Sequence, residues 1–437
     1  MSSPTSSDRL FDEILDAPDR DSFEGCERVL SYRDDDETEF LQDIDRHATA
    51  RVALTRRGIW HGNLAQVPPA AAVPGPPLEA IFAQRWHTAR PILLRSAFDP
   101  GAASAHLSKR EQLHADLRQS GSLRRFLKAE DPALRPHFTA HPQHEALVEP
   151  ERDIEQVRIL WAQDPGNRTT ERVKDLWARS SRLSTFAGDH SLRMRLSFGN
   201  DKVDDASRDL QRHKLVTELA EQLLPESKLI HNNARITGLL DEHCDGPTFL
   251  TQHIAYWNSP QGGALLHHDA FDEERRGGQR GVVYAQFTGR TAWLALSLED
   301  LARRVREFAE YLAEGELPWV RSQVFGRADQ FERFQKKCER FRPLMKELAR
   351  PGSGFLGRLV NHGPEFTTFL ADCGHAYILG PGDVLLLPNH GLDRTAMHSV
   401  FCAGGETGYA LSMAVRDSEL ATRDDTDSGP SDRSSHE

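Results

Sequence analysis

Cysteine is scarce and scattered in this chain of 437 residues. The five cysteines are Cys26, Cys244, Cys338, Cys373 and Cys402, and none of them forms a Cys-x-x-Cys pair. An odd number of separated thiols is typical of a reducing compartment, and it excludes a disulfide scaffold and a zinc site built from cysteine pairs. We therefore expect a cytoplasmic protein.

Long hydrophobic runs and several common sequence motifs are also missing. No apolar run approaches the roughly 20 residues that a membrane-spanning helix needs, and the first thirty residues are acidic and polar, unlike a secretory signal. The chain has no glycine-rich phosphate loop, no Gly-x-Ser-x-Gly elbow and no internal repeat. These absences argue against a membrane partner, a phosphate-loop nucleotide site and a serine hydrolase.

The net charge of −12 lies almost entirely at the two ends. Residues 1–50 carry 15 acidic residues against 5 arginines, and residues 417–437 carry 7 against 2. Acidic ends usually act as solvated tails, and the remaining body is close to neutral. The charge distribution supplies no evidence for a nucleic-acid partner, and the oligomeric state stays open.

Changes in composition divide the chain into four parts. We predict an acidic, partly disordered N-terminal segment over residues 1–66, a mainly helical flanking region over 67–246, a β-rich region over 247–416 and a disordered acidic tail over 417–437. A helical insertion over residues 298–350 interrupts the β-rich region. The short apolar runs there are bounded by Gly, Pro, Asn and Asp, which is typical of an antiparallel barrel or a two-sheet jelly roll. The expected fold class is α+β.

The segment Ala264 to Ala270 holds the most informative residues for function. It places His267 and Asp269 two positions apart at the end of a strand-like run. Side chains two apart on a strand point to the same face, so an imidazole nitrogen and a carboxylate oxygen can reach one ion. A second histidine from a later strand would complete a two-His-one-carboxylate site, which leaves positions open on Fe(II).

The second histidine has two candidates. His398 begins an apolar run that follows the segment Gly380 to Pro388, whereas His390 lies in a turn of Pro, Asn and Gly. A turn holds an inward-facing ligand less rigidly than a strand, so we favour His398. His268 should point outward because it neighbours His267, and His253 is a weaker candidate for a third imidazole.

These residues resemble the cupin-like, JmjC-related Fe(II)/2-oxoglutarate-dependent oxygenases. The resemblance covers residues 247–416, and it rests on the order of the His-x-Asp strand, the segment Tyr284 to Leu296, Gly382-Asp383 and His398. It implies a double-stranded β-helix barrel of the jelly-roll or cupin type, with a helical N-terminal flank and a helical insertion. It also implies Fe(II) bound by His267, Asp269 and His398, 2-oxoglutarate as co-substrate, and hydroxylation of a C–H bond in a protein or peptide side chain.

One position departs from that family. Its asparaginyl-hydroxylase branch has a lysine for the distal carboxylate of 2-oxoglutarate, and the matching residue here is Thr291. A threonine donates one hydrogen bond but carries no charge. Other branches use an arginine after the distal histidine, and Arg416 is the candidate here, whereas alternation points Arg290 away from the face of Thr291.

Two other functions remain open on the sequence alone. The absent lysine makes credible a cupin oxygenase that binds its substrate, protein or small molecule, directly to iron and needs no 2-oxoglutarate. A non-catalytic binding module that keeps the barrel is the other. His and carboxylate ligands also accept Mn or Zn.

Overall fold

The computed structural model describes most of the chain from residue 52 to residue 417. The described residues are 52–57, 59–64, 78–130, 139–141, 153–160, 176–198, 210–244, 247–270, 279–314, 324–325, 327–352 and 354–417. The predicted acidic segment up to residue 51 and the predicted tail from residue 418 lie outside them.

Fifteen strands lie in the described residues. They are β1 (Val52–Arg56), β2 (Ile59–Leu64), β3 (Ile92–Leu94), β4 (Thr139–His141), β5 (Asp153–Leu160), β6 (Leu176–Arg182), β7 (Leu192–Phe198), β8 (Thr248–Asn258), β9 (Gly263–His267), β10 (Gln279–Thr288), β11 (Thr291–Ser297), β12 (Ala376–Leu379), β13 (Val384–Pro388), β14 (Ala396–Cys402) and β15 (Gly408–Asp417).

Eleven α-helices accompany them in the same part of the chain. They are α1 (Leu78–His87), α2 (Ser104–Leu117), α3 (Ser122–Ala129), α4 (Leu210–Leu223), α5 (Lys228–His231), α6 (Ala234–His243), α7 (Leu298–Glu314), α8 (Ala328–Cys338), α9 (Phe341–Leu348), α10 (Phe355–His362) and α11 (Pro364–Asp372). None of these helices has the length and apolar character that crossing a bilayer requires.

The strands form two large antiparallel sheets and one hairpin. The nine-stranded sheet has the order β3-β13-β10-β15-β8-β7-β6-β5-β4, the four-stranded sheet has the order β12-β11-β14-β9, and β1 pairs with β2. No strand pairing joins the two large sheets within the described residues. The structure therefore shows a mixed helix and antiparallel-sheet fold, and the predicted double-stranded β-helix barrel of the jelly-roll type is not confirmed.

Alternating side chains build a core between the two sheets and another on the outer face of each. The core between the sheets contains residues from both, among them Val282, Tyr284, Leu385, Leu387, Trp293, Tyr377 and Val400. The outer side of the nine-stranded sheet packs with α4 at β7 and β8, in a core that contains Leu219 of α4 and Met413 of β15. The outer side of β11 packs with α7, in a core that contains Leu294 and Phe308. Successive residues of β11 thus serve different layers, as the two-residue period of a strand requires.

The region predicted to be a mainly helical flank contains strands in its middle. The helical expectation agrees with α2 to α6, but β4 to β7 occupy the span between residues 139 and 198 and extend the nine-stranded sheet. In β7 the apolar Leu192, Met194 and Leu196 alternate with Arg193 and Arg195. This two-residue period buries the apolar face against the helices, so the interspersed charges mark a strand and not a helix.

The helical insertion follows β11 directly, as expected, but it is longer than predicted. Five helices, α7 to α11, lie between β11 and β12 and reach Asp372, whereas the predicted insertion ends at residue 350. Pro351, Gly352 and Gly354 interrupt the helical pattern at that point, and Gly363-Pro364 interrupts it again, although a proline in the first turn starts a new helix. The insertion packs on the outer face of the four-stranded sheet.

The hairpin β1–β2 lies within the segment predicted to be partly disordered. It packs on α11 and on β14, and Leu54 belongs to the core formed by the insertion and the four-stranded sheet. Residues 52–64 are therefore part of the folded body where they are described.

Candidate metal centre

The three residues predicted as metal ligands come together from two neighbouring strands. His267 ends β9, Asp269 follows two residues later, and His398 lies on β14. The antiparallel pairing of β9 with β14 places His267 directly opposite His398. Directly opposed residues project from the same face of a sheet, so the pairing itself brings the two imidazoles together.

The distances within this cluster suit one shared ion. Nε2 of His398 lies 3.6 Å from Oδ2 of Asp269, and Nε2 of His267 lies 3.9 Å from Oδ1 of the same carboxylate. The three ligand atoms all lie within 4.8 Å of one another. Two atoms bound to one ion at about 2.1 Å are separated by about 3–4 Å. The spacing exceeds hydrogen-bond length and matches a common coordination sphere, so these residues fit a divalent metal.

A backbone hydrogen bond orients His267 for this role. Its Nδ1 lies 2.7 Å from the carbonyl oxygen of Leu265. A carbonyl only accepts, so this contact assigns the proton to Nδ1 and leaves the lone pair on Nε2, which faces the cluster. Nδ1 of His398 is buried without a hydrogen bond of good geometry, although the Ala396 backbone acts in the direction that raises the pKa of His398.

The electrostatics keep both residue types in the form that binds metal. Burial, followed by the effect of His267, lowers the pKa of His398 to about 3, although the Asp269 carboxylate acts in the opposite direction. Burial tends to raise the pKa of Asp269, but the nearby His398, His267 and His268 outweigh it and lower that pKa. At neutral pH the cluster therefore presents a neutral imidazole beside an anionic carboxylate, as ligation requires.

The structure places the competing histidines elsewhere. His390 stays in its turn, with Nε2 2.6 Å from the Trp86 carbonyl oxygen. His253 contacts His231, with 2.7 Å between the two Nε2 atoms. His268 accepts a hydrogen bond from a backbone amide two residues later. Within the described residues, only His267, Asp269 and His398 group as candidate metal ligands.

The cluster forms part of the wall of a cavity of about 130 Å³ between the two sheets. Besides the three candidate ligands, the cavity is lined by Leu183, Arg193, Tyr256, Asn258, Gly263, Ala264, Val282, Tyr284, Trp293, Leu387, Val400 and Ser412. Trp293 packs beside His398, with 5.5 Å between the ring centroids. The cavity thus combines an aromatic wall with several polar side chains that converge on it, as in a small-ligand site.

The two residues predicted to bind the co-substrate occupy different environments. Thr291 is fully buried next to the aromatic wall, where its Oγ1 donates to Oε1 of Gln286 at 2.9 Å and accepts from Nε1 of Trp293 at 2.9 Å. Arg416 is 2% exposed and pairs in register with Gln279 of β10. Neither Thr291 nor Arg416 is among the residues that line the cavity.

Sequence reasoning missed Arg193 and the polar residues of β8. Arg193 reaches the cavity from β7, and Tyr256 and Asn258 reach it from the adjacent β8. The alternation in β7 is the signal that identifies Arg193, because it separates the arginines from the buried apolar face. Nothing in the sequence places β7 beside β8.

Three further contacts support the geometry of β9 and β14. Nη1 of Arg56 donates to the Ser399 hydroxyl at 3.0 Å and also contacts the Ala264 carbonyl. The Leu266 amide donates to Oδ1 of Asn361 at 2.7 Å. These contacts involve both strands that carry the candidate ligands, and they link these strands to β1 and α10.

At Gly263, the first residue of β9, the backbone has φ of +131°. A Cβ there would lie 2.0 Å from the Val400 carbonyl oxygen of β14. Only glycine combines this backbone conformation with so close an approach. Gly263 therefore permits the tight pairing on which the position of His267 depends.

Comparison with known proteins gives two remote structural similarities. No protein-family model and no curated protein matches the chain. The solved structure of YcfD, a ribosomal oxygenase from Escherichia coli, is 12% identical over 64% of this chain, with a TM-score of 0.19. The match spans about two fifths of that chain, 39%. An oxidoreductase of the 2OG-Fe(II) oxygenase family from Burkholderia pseudomallei is 10% identical over 79% of this chain and 93% of its own, with a TM-score of 0.26. Both similar structures are oxygenases, but at these values the function must be argued from the site itself.

Proposed function

We propose that this protein is an Fe(II)/2-oxoglutarate-dependent dioxygenase that hydroxylates a C–H bond, with an amino-acid side chain in a protein or peptide as the substrate class. The observation that carries the proposal is the convergence of His267, Asp269 and His398 at the wall of a cavity between two sheets. Two imidazoles and one carboxylate bind Fe(II) while leaving positions for a co-substrate and dioxygen.

The residues around the cluster have separate tasks in this proposal. His267, Asp269 and His398 would hold the iron, which when bound supplies oxidative decarboxylation of 2-oxoglutarate coupled to hydroxylation. Trp293 and Tyr284, whose ring centroids lie 4.6 Å apart, form an aromatic wall on one side of the cavity. The Leu265 carbonyl holds the proton of His267 on Nδ1, so that Nε2 stays available as a ligand.

The hydrogen bonds of Thr291 favour one alternative. Its hydroxyl proton is already donated to Gln286, so Thr291 offers a bound carboxylate neither charge nor a free donor. An iron oxygenase that binds its substrate directly and uses no 2-oxoglutarate would not need such a contact. A metal-free binding module is the further alternative, and metal analysis separates it from both oxygenases.

Succinate formation tests the proposal. Anaerobically purified protein receives Fe(II), 2-oxoglutarate and air, and succinate is measured for the wild type, His398→Ala and His390→Ala. We expect wild-type protein to bind one iron and form succinate slowly even without its substrate. His398→Ala should lose this activity, whereas His390→Ala, the same change outside the cluster, should keep it.

Each other result has a defined meaning. Stoichiometric iron without succinate, with 2-oxoglutarate failing to bind the iron-loaded protein, would support the oxygenase that needs no 2-oxoglutarate. Absence of bound metal would support the binding module. Iron retained in both His267→Ala and Asp269→Ala would refute the assignment of the ligands.

A further inference from the structure

Arg193 places a positive charge on the wall of the same cavity as the metal cluster. It lies on β7, in register with Ser181 of β6 and Tyr256 of β8, and its side chain lines the cavity together with His267, Asp269 and His398. These strands belong to the extension of the nine-stranded sheet. The charge therefore comes from outside the region in which the sequence predicts the site.

Neighbouring polar groups hold the Arg193 guanidinium in position. Its Nε donates to the Ser181 hydroxyl at 2.9 Å, and the guanidinium also forms a side-chain hydrogen bond with Tyr256. An arginine whose Nε is fixed in this way presents its terminal nitrogens as a planar pair of donors. Such a pair matches the two oxygens of a carboxylate.

Arg193 is the cationic side chain that the described lining of the cavity offers to an acidic ligand. Among the described residues that line the cavity, Arg193 is the one arginine or lysine and Asp269 is the one carboxylate. Asp269 belongs to the metal cluster, and no described carboxylate forms an ion pair with Arg193. Arg193 is nevertheless close enough to help lower the pKa of Asp269. Because the cation and the metal cluster line the same cavity of about 130 Å³, one small molecule in it can contact both.

Thr291, which stands at the position of the family lysine, cannot provide a positive charge for a ligand carboxylate. The Thr291 hydroxyl donates to Gln286 and accepts from Trp293, and a carboxylate placed there would meet no positive charge. Burying a carboxylate without a charged partner is unfavourable. A ligand with two acidic ends therefore finds its second partner on β7.

We propose that Arg193 binds the distal carboxylate of 2-oxoglutarate, while the 2-oxo acid end of the same molecule lies at His267, Asp269 and His398. This inference rests on the proposed function, and it names the residue that replaces the family lysine. Arg193 is then the residue that selects a 2-oxo dicarboxylic acid over a 2-oxo monocarboxylic acid.

Binding of two matched ligands tests the inference without turnover. The probes are 2-oxoglutarate and 2-oxopentanoate, which has the same five-carbon chain with a methyl group in place of the distal carboxylate. Dissociation constants are measured by calorimetry on anaerobic, Fe(II)-loaded protein. The variants are Arg193→Met, Arg193→Lys and Arg182→Met, the last being an exposed arginine that does not line this cavity.

We expect the wild type and Arg182→Met to bind 2-oxoglutarate about 10- to 100-fold more tightly than 2-oxopentanoate, as charged hydrogen bonds provide. Arg193→Met should bind both acids equally, with unchanged affinity for 2-oxopentanoate. Arg193→Lys should show an intermediate preference, and it provides the same comparison if Arg193→Met does not fold.

Two results would overturn the inference, and only the second would also contradict the proposed co-substrate. If Arg193→Met keeps the wild-type preference for 2-oxoglutarate, Arg193 does not bind the distal carboxylate, but the proposed function stands. If the iron-loaded wild type binds neither acid, the proposed co-substrate is wrong as well.

Discussion

Replacing Arg56 tests whether the N-terminal hairpin keeps the two strands that carry the candidate metal ligands in register. Its side chain is 2% exposed and donates to the Ser399 hydroxyl at 3.0 Å and the Val400 carbonyl at 3.3 Å. It also contacts the Ala264 carbonyl on β9. These acceptors lie beside the irregularity in pairing that follows His398. We expect Arg56→Met to loosen the site while leaving the rest of the fold intact.

The size of the effect follows from two opposing contributions. Burial, with a smaller effect of Arg57, lowers the pKa of Arg56 from 12.5 to about 9, which at about 1.4 kcal/mol per pKa unit opposes the charged form by roughly 5 kcal/mol. All of these contacts come from Nη1, whose two hydrogens supply two full hydrogen bonds from a charged donor at about 1.5–3 kcal/mol each. These two contributions nearly cancel, but removing the guanidinium leaves buried acceptors on β9 and β14 without their donor, which costs about 1–3 kcal/mol. We therefore expect Arg56→Met to lower the free energy of unfolding by about 1–3 kcal/mol.

The larger consequence concerns the metal. Groups that orient metal ligands typically change metal affinity about 10- to 100-fold, and we expect a loss in this range for Arg56→Met. Urea unfolding and anaerobic Fe(II) titration measure the two effects separately. Arg327→Met removes an exposed arginine of the insertion, with 75% of its side chain accessible, and should change neither. Wild-type iron affinity in folded Arg56→Met protein would refute the reasoning.

Three further predictions concern backbone approach, strand support and pH. Gly263→Ala should lower the free energy of unfolding by about 3 kcal/mol or more and abolish iron binding, because its Cβ would meet a carbonyl oxygen of β14 at 2.0 Å. The control Gly391→Ala, at φ of +99° with nothing within 4 Å, should lower stability less in thermal unfolding. Equal losses of stability in the two variants would contradict the argument. Asn361→Leu should lower the free energy of unfolding by about 1–3 kcal/mol, because the Leu266 amide loses its acceptor, and should weaken Fe(II) binding in titration; unchanged binding would separate this contact from the site. Burial lowers the pKa of His375 from 6.5 to about 3, so the unfolded chain takes up the proton first and stability should fall below pH 6.5 by up to roughly 1.4 kcal/mol per pH unit. Urea unfolding at pH 7, 6 and 5 should show a shallower slope for His375→Gln, and an identical slope would reject this origin.

The three residues of the candidate metal centre could be named from the sequence because the features that mark them are local. Alternation on one strand places His267 and Asp269 on the same side, and a turn followed by an apolar run distinguishes His398 from His390. The structure groups His267, Asp269 and His398. Their function as metal ligands stays a prediction until iron binding is measured.

The flanking region could not be predicted as well, because short apolar runs separated by charges suit both helices and strands. The two-residue period of β7 is visible in the sequence, but its meaning depends on which face is covered. In the structure, helices cover the Leu192 and Met194 side, and the cavity receives Arg193. The same reason explains why the sequence could not distinguish an antiparallel barrel from a two-sheet arrangement, since apolar alternation is the same in both.

The sequence alone determined the candidate ligands, the order of the β-rich segments and the place where the insertion begins, since each depends on residues close in the chain. Tertiary structure decided which strands are neighbours. It set His398 opposite His267, brought Arg56 against both strands and placed Arg193 at the cavity. The physical reason is that strand pairing is specified by backbone hydrogen bonds and by the burial of whole faces, which residues distant in the chain decide together.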